Sequence, residues 1–282
     1  MERLKRYYSR IYHIIMRPEM KILPGQLAFF IVLAIFPMLT LFGYVGSKIS
    51  LVSTSMIGAF KEIFPKNILE IWLPFITESH ITGSVMFFMI VAFVLISNGT
   101  HSIIVTSNEL YEIKHDDYVK RRIKALFMIV ILMVLVVFMF LVLAYGNIIV
   151  NKIIHLKAFA DFSEKIYHFF VLLKWPIAFI FIFIIVKLLY AIAPDKQISS
   201  KFMNKGALFT TVGWMITTAA YSYYVSNFAN YTMFYGSISG IVVMMTWVYI
   251  LSFILVMGIA INAEVYTASL KKYNSKEKKY NN

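Results

Sequence analysis

Residues 206–266 read GALFTTVGWMITTAAYSYYVSNFANYTMFYGSISGIVVMMTWVYILSFILVMGIAINAEVY, and this stretch decides the fold. Two apolar runs of about 23 to 30 residues are separated by a short turn rich in Asn, Tyr and Gly. At about 1.5 Å per residue, each run can cross a hydrocarbon core of about 30 Å. The stretch therefore predicts a transmembrane hairpin.

The composition of the whole chain supports this interpretation. Of its 282 residues, 60% are hydrophobic and only 15% are charged, whereas soluble domains carry about 25% charged residues. The net charge of +13 could indicate a nucleic-acid partner. Basic residues, however, commonly flank membrane spans on the cytoplasmic side, so we expect membrane lipids and no nucleic acid as partners. The chain has no cysteine, which excludes disulfides and thiol catalysis.

Hydropathy predicts an all-α integral membrane protein with six transmembrane helices. One transmembrane domain, residues 23–268, follows a basic interfacial segment, residues 1–22. A polar tail, residues 269–282, is expected to be disordered in the cytoplasm. A long loop between spans 1 and 2, residues 48–80, mixes apolar and charged residues, which predicts amphipathic helices on the extracytoplasmic side. The six spans cover about residues 23–47, 81–105, 123–150, 169–193, 206–228 and 237–266.

The distribution of Lys and Arg sets the orientation of these spans. The N-terminal segment, the loops near residues 115 and 200 and the tail together hold 19 basic residues, whereas the loops on the opposite side hold six. Because basic loops stay on the cytoplasmic side of a membrane, both termini are predicted to be cytoplasmic.

Polar residues at membrane depth are the first functional candidates, because each needs a partner there. Helical spacing places Asn98, His101, Asn108 and Glu109 along one face of span 2. This face and Gln26 of span 1 are predicted to point into the bundle. The face is interpreted either as a polar substrate pathway with a proton-responsive histidine or as hydrogen bonds that hold the helices together.

A second group of candidates surrounds the turn between spans 5 and 6. Asn227, Tyr231 and Tyr235 are predicted to line the extracytoplasmic mouth of the bundle, where tyrosines suit the membrane interface. Gly236 and Gly240 have the G-x-x-x-G spacing that lets helices approach closely. Gly236 can also supply a left-handed backbone for the turn.

Signatures of enzymes and of metal sites are missing. The sequence contains no H-E-x-x-H, G-x-S-x-G or G-x-x-x-x-G-K-[ST] motif. Its six histidines are scattered without the spacing of metal ligands. We therefore predict no catalytic residue, no metal and no cofactor.

Four stretches carry a family resemblance: LAFFIVLAIFPML in span 1, NELYEI after span 2, LYAIAPD after span 4, and YVSNFANYTMFYGSISG with WVY and GIAINAE in spans 5 and 6. They resemble motifs of the YihY/BrkB family of bacterial inner-membrane proteins, some of which carried a ribonuclease BN label. The resemblance covers residues 20–268. Within it, Pro37 is also predicted to kink span 1. The matching positions are Ala28, Phe29, Phe36, Pro37, Asn108, Tyr111, Tyr190 and Pro194.

This resemblance implies six helices with cytoplasmic ends in the bacterial inner membrane. Some relatives are linked to lipid A precursor export or to serum resistance, which are envelope functions. The leading hypothesis, a transporter or flippase for a lipid or another amphiphile, rests on the six spans, the polar clusters on both sides of the membrane, the amphipathic outer loop and the absence of catalytic motifs. The alternative is a non-transporting envelope scaffold that organises partners or lipids. A membrane hydrolase ranks third, because it needs a Ser or Asp beside His101, and a ribonuclease would need a basic, aromatic-lined groove in water.

Overall fold

The computed structural model describes residues 16, 20–33, 83–139, 163–227, 236 and 239–280. Within these ranges the regular structure is helical throughout, without strands. A single 3₁₀ turn, Ser200–Met203, leads directly into the fifth helix. In chain order the α-helices are α1 (Met20–Leu33), α2 (Gly83–Tyr111), α3 (Tyr118–Met139), α4 (Ser163–Ile192), α5 (Asn204–Asn227) and α6 (Ser239–Tyr280).

Two helix ends differ from the sequence prediction. Helix α2 continues past residue 105 to Tyr111. The prediction of a disordered tail from residue 269 is wrong, because α6 continues as helix through Tyr280. Residues 269–280 contain no Gly or Pro, and their Leu, Lys and Glu residues are good helix formers. The predicted outer loop, residues 48–80, lies outside the described residues.

Two helices in the described part of the chain are long and apolar enough to cross a membrane. They are Trp175–Ile192 within α4, with a mean hydropathy of 2.4, and Ile241–Lys271 within α6, with a mean hydropathy of 2.3. The 42 residues of α6 extend over about 63 Å at about 1.5 Å per residue. This length is about twice a hydrocarbon core of about 30 Å, so one end of α6 projects beyond such a core.

Helices α2 to α6 pack in a closed circuit. Each contacts its neighbour in the chain, and α6 also contacts α2. Helix α1 lies against this circuit, where Ala28 and Val32 pack on Val248 of α6. A core of apolar side chains fills the bundle, including Ile104, Met128, Val186, Leu189 and Val256.

The helix ends that carry the basic loops meet at one end of the bundle. The hydroxyl of Tyr111, at the end of α2, lies 3.3 Å from Met203 Sδ, just before α5. The Tyr111 ring is also 5.9 Å from the ring of Tyr266 in α6. Lys124 near the start of α3 reaches Asp195 after α4. We call this end of the bundle the basic end.

The surface of the bundle is unlike that of a water-soluble protein. Large apolar side chains are exposed on the outer faces of the helices, among them Ile90 in α2, Phe127 in α3 and Ile180 in α4. Such an exposed apolar surface suits a lipid environment, and several polar side chains are buried within the apolar core. The buried polar residues are Ser97, Thr100, Ser102, Thr106, Ser107, Asn108, Thr210, Thr211, Ser252 and Asn262.

Two glycines that the sequence analysis missed allow α5 and α6 to touch. A Cβ added at Gly206 would overlap the carbonyl oxygen of Gly258. A Cβ at Gly258 would overlap the hydroxyls of Thr210 and Tyr190. Gly206 and Thr210 are four residues apart, and this spacing of two small residues in α5 was the available sequence signal.

Gly236 has the backbone conformation that was predicted for the turn, with a φ of +53°. The residue is exposed, and a Cβ added to it would meet no atom of the described residues within 4 Å. Its role in helix packing stays a prediction, because the residues on either side of it lie outside the described part of the chain.

Candidate functional site

The end of α2 positions two of the predicted site residues. The Ile113 N–H donates to the Asn108 carbonyl at 2.9 Å, and the Glu112 N–H donates to the Glu109 carbonyl at 3.2 Å. Glu112 adopts a φ of 56°, and together these features form a Schellman motif that ends the helix. The motif turns the chain back toward α2, so the segment 113–117 lies beside Asn108 and Glu109.

Four polar residues meet at the basic end, and we call them the Asp195 cluster: Asp195, Lys124, Asn108 and His115. Lys124 Nζ binds Asp195 Oδ1 and also donates to the carbonyls of Ala193 and Pro194, at 3.2 and 3.0 Å. Asn108 Nδ2 donates to Asp195 Oδ2 at 2.5 Å, and Asn108 Oδ1 accepts the Asp195 N–H at 2.9 Å. The cluster thereby joins α2, α3 and the α4–α5 connection.

His115 extends the cluster toward the surface. Its Nδ1 lies 3.1 Å from Asn108 Nδ2, and its Nε2 lies 3.1 Å from Glu109 Oε1. Because the amide nitrogen can only donate, Nδ1 accepts and Nε2 carries the hydrogen that Glu109 accepts. Asn108 is buried, but Glu109 is exposed, so the prediction that Glu109 points into the bundle is wrong. His115, which the sequence analysis did not select, bridges the two side chains.

Hydrogen bonds keep Asp195 ionised. Burial works to raise its pKa, but the bonds from Lys124, from the Asp116 N–H and from Asn108 outweigh burial and hold the pKa below its ordinary value. The Asp195 side chain is only 2% exposed and the Lys124 side chain 21% exposed. Removing one member of such a pair leaves the other buried without a partner, so we expect the cluster to stabilise the bundle.

The other predicted candidate, Asn98, accepts a hydrogen bond from Arg122. Its Nη1 donates to Asn98 Oδ1 at 2.8 Å and to Ser97 Oγ at 3.0 Å. Its Nε donates to the Tyr118 hydroxyl at 2.7 Å. The guanidinium of α3 is thus held against the middle of α2 by neutral oxygen atoms.

His101 lies beside this arginine. Its ring centre is 6.0 Å from that of Tyr118, and both Arg122 and Arg121 interact with it electrostatically. Its Nε2 is buried and has no hydrogen-bond partner among the described residues. In that part of the chain, no Ser or Asp therefore activates a water or nucleophile through this nitrogen.

Gln26 is not buried in the bundle. The prediction that it points into the bundle is wrong, because the residue is exposed on α1. Leu23 and Leu27 occupy the buried positions on either side of it. One turn further along, a surface groove of about 420 Å³ separates α1 from α6, between Phe29 and Tyr249.

The remaining candidates are described only in part. Asn227 is the last residue of α5, and its side chain is outside what the structure describes, as are Pro37, Tyr231 and Tyr235. Gly240 lies in the first turn of α6, and its surroundings are likewise not described. The proposed extracytoplasmic mouth and the kink at Pro37 therefore stay predictions.

Sequence reasoning missed the charged partners of the candidates it found. Lys124 and Asp195 were not selected, because partners 71 and 87 positions apart meet only in the folded bundle. His115 was not selected, because it reaches Asn108 and Glu109 only through the chain reversal after α2. A signal for Asp195 was present, since it is a lone carboxylate that directly follows the long apolar run of α4. Arg122 was one of several adjacent basic residues, and sequence alone did not distinguish its position from that of exposed Lys120.

In the described residues, a helical bundle combines exposed apolar faces, polar side chains buried in an apolar core and two helices long enough to span a bilayer, which are features of helical membrane proteins. The family model described as virulence factor BrkB matches residues 15–281. The chain therefore belongs to the BrkB family, which confirms the resemblance seen in its motifs.

Relatives support the same assignment. The putative ribonuclease-like protein YfkH of Bacillus subtilis is 28% identical over 244 residues, which cover 85% of this chain and 87% of YfkH. The UPF0761 membrane proteins PSHAa0171 of Pseudoalteromonas translucida and IL2447 of Idiomarina loihiensis are 28% and 27% identical. Those matches cover 42% and 44% of this chain but only 39% and 41% of the two relatives. No solved structure matches the chain.

Proposed function

We propose that this protein is a six-span inner-membrane transporter or flippase that moves a lipid or another amphiphile. Both termini and the basic end would face the cytoplasm, as the bias of 19 basic residues against six predicts. The convergence of the basic loops at one end of the bundle supports this arrangement, because it is what a bundle of alternating spans requires.

The observation that carries the proposal is a strip of unpaired polar atoms inside α2. His101 Nε2 and the hydroxyls of Ser102, Thr106 and Ser107 are buried, yet none has a hydrogen-bond partner among the described residues. We call these four residues the α2 polar strip. Burying an unpaired hydroxyl costs about 1–3 kcal/mol. Water or the headgroup of a passing amphiphile can supply the missing partners, so the strip suits a polar pathway.

The exposed apolar faces of the helices also support a flippase. A flippase must carry a polar headgroup past the hydrocarbon core while the acyl chains stay in lipid. Polar residues along α2 and exposed apolar residues on α2 and α3 provide these two environments side by side. His101 is the member of the strip whose charge can change near neutral pH. We therefore expect transport to depend on protons.

Reconstituted vesicles provide the test. The full-length protein is placed in vesicles that contain a fluorescent phosphatidylglycerol or phosphatidylethanolamine, and the fraction of probe that an external quencher reaches is followed over time. Thr106→Val removes one hydroxyl of the strip with little change in shape. We expect this variant to fold and to move the probe several-fold more slowly than the wild type.

Thr211→Val is the matched control. Thr211 is equally buried, but its hydroxyl donates to the Ala207 carbonyl of its own helix at 2.8 Å. The control should retain wild-type transport. Absence of probe movement in the wild type, or equal rates for both variants, contradicts the proposal.

A non-transporting envelope scaffold is the second candidate function. The close contact of α5 with α6 at Gly206 and Gly258 favours it, because such packing suits a rigid body. A scaffold predicts vesicles in which neither probe moves, together with a Thr106→Val variant that is at least as stable as the wild type, because a buried unpaired hydroxyl is removed.

A further inference from the structure

The position of Arg122 is unusual for a basic residue at the end of a membrane helix. Such side chains normally extend toward the headgroups and water. Arg122 instead reaches Asn98 and Ser97. Asn98 precedes the predicted end of span 2, at residue 105, by about 10 Å of helix. A cation is thus drawn inward, and charges at this depth usually have a functional role.

The guanidinium retains unused binding capacity. Of its five N–H groups, one on Nε binds the Tyr118 hydroxyl, and those on Nη1 bind Asn98 and Ser97. The two on Nη2 have no partner among the described residues. All three bonded oxygen atoms are neutral, so they orient the fork without cancelling its charge.

Nearby carboxylates are already engaged. Asp195 is bound by Lys124, and Glu109 is bound by His115. Asp116 pairs with exposed Lys120 at 3.6 Å. In the described part of the chain, no carboxylate lies within ion-pair distance of Arg122, so its positive charge has no neutralising partner among these residues.

A second observation comes from the neighbouring cations. Arg121 Nε and His101 Nε2 are both buried without a hydrogen-bond partner among the described residues. Arg122 Cζ lies 5.2 Å and the His101 ring centre 6.0 Å from the centre of the Tyr118 ring, and Arg121 precedes Arg122 in α3. Two arginines and a histidine in one region of the bundle provide the donors that an anion needs.

We propose that Arg122, Arg121 and His101 bind the phosphoryl group of an anionic lipid that enters from the inner leaflet. We call these three residues the Arg122 site. Asn98, Ser97 and Tyr118 hold the fork in place, and Nη2 is left to contact two oxygen atoms of the ligand. The apolar exterior keeps the acyl chains in the membrane. Only the fate of the bound lipid rests on the transport function proposed above, since binding itself needs no transport.

Ligand-induced stabilisation of the purified full-length protein tests the site. Thermal unfolding in a neutral detergent is followed with increasing dihexanoyl phosphatidic acid, inorganic phosphate or dihexanoyl phosphatidylcholine. A ligand that binds the folded state raises the Tm in a saturable way. We expect a saturable rise with phosphatidic acid and little or none with phosphatidylcholine, whose choline group would meet the arginines.

Inorganic phosphate distinguishes the source of the anion. A rise with phosphate as large as that with phosphatidic acid, at equal concentration, assigns the site to free phosphate and overturns the lipid proposal. A weaker rise with phosphate supports the lipid, because acyl chains then add to the affinity.

Substitutions locate the binding. Arg122→Gln should weaken phosphatidic acid binding at least about tenfold, because charged hydrogen bonds contribute about 1.5–3 kcal/mol each. Arg121→Gln should weaken it several-fold and leave the fold intact, since its Nε has no partner to lose. Lys120→Gln is the matched control, with the same charge change at an exposed residue, and should bind like the wild type.

The outcomes distinguish the proposed lipid-binding site from the proposed transport function. Loss of binding in both arginine variants, with binding kept in the control, supports the site even if the wild type moves no lipid in vesicles. The site is refuted if Arg121→Gln binds with wild-type affinity and Arg122→Gln or Arg122→Lys does so as well. This holds even if transport is observed. Should Arg122→Gln not fold, Arg122→Lys keeps the charge and loses the fork, and an unchanged affinity there counts against the proposal.

Discussion

Replacement of Gly206 by alanine tests the packing that closes the bundle. The Gly206 N–H donates to Asn262 Oδ1 at 2.7 Å, between α5 and α6. An added Cβ would overlap the Gly258 carbonyl oxygen and lie 2.5 Å from Asn262 Nδ2. A backbone carbonyl in a helix cannot rotate away, so the two helices must separate.

The cost follows from two effects. Overpacking a close contact costs about 1–3 kcal/mol, and loss of the buried hydrogen bond to Asn262 costs about 1–3 kcal/mol more. Alanine recovers about 1 kcal/mol through its higher helix propensity. Gly206→Ala should therefore destabilise the protein by about 1–5 kcal/mol, which corresponds to a fall in Tm of about 2–4 °C per kcal/mol.

Thermal unfolding of the purified protein, followed by tryptophan fluorescence, measures this change. Gly25→Ala is the matched control, because Gly25 is also helical and its nearest contact would be Tyr249 Cε2 at 3.9 Å. The control should keep or slightly raise the Tm. If Gly206→Ala unfolds at the wild-type temperature, the close approach of α5 and α6 is refuted.

Further predictions concern the helix end, the Asp195 cluster, the orientation and His101. Glu112→Gly should raise the stability by about 0.5–1 kcal/mol, because glycine adopts the φ of 56° at lower cost; an unchanged or lower Tm contradicts this. Asp195→Asn should lower stability at pH 7 by about 2–3 kcal/mol through loss of its charged hydrogen bonds. Because the folded-state pKa of Asp195 is lowered, its contribution is present above about pH 3.9 and is lost as the pH falls through the folded-state value. The variant should lack this acid-induced loss, and a wild-type profile of Tm against pH refutes the role. Cysteines placed at Lys120 and Asn281 should react only with reagents that cross the inner membrane. Labelling of Lys120→Cys from outside intact cells would refute the predicted orientation. His101→Ala should abolish the pH dependence of transport and leave expression intact; equal loss of folded protein and of transport would favour a packing role.

The sequence by itself determined the class of the protein. Apolar runs long enough to cross a bilayer fix helical structure, because backbone groups in lipid must bond within their own segment. The family motifs could also be recognised in the sequence, and the family match over residues 15–281 confirms the resemblance. The polar face of α2 could be found because helical periodicity is a local property.

Only the tertiary structure decided which polar residues meet. Asn108 and Asp195 are 87 positions apart, and Asn98 and Arg122 are 24 apart; no local pattern pairs them. Tertiary packing also placed Gln26 at the surface and brought Gly206 against Gly258. The physical reason is that periodicity gives the face of a helix, whereas the neighbour that this face contacts depends on how all helices share the core.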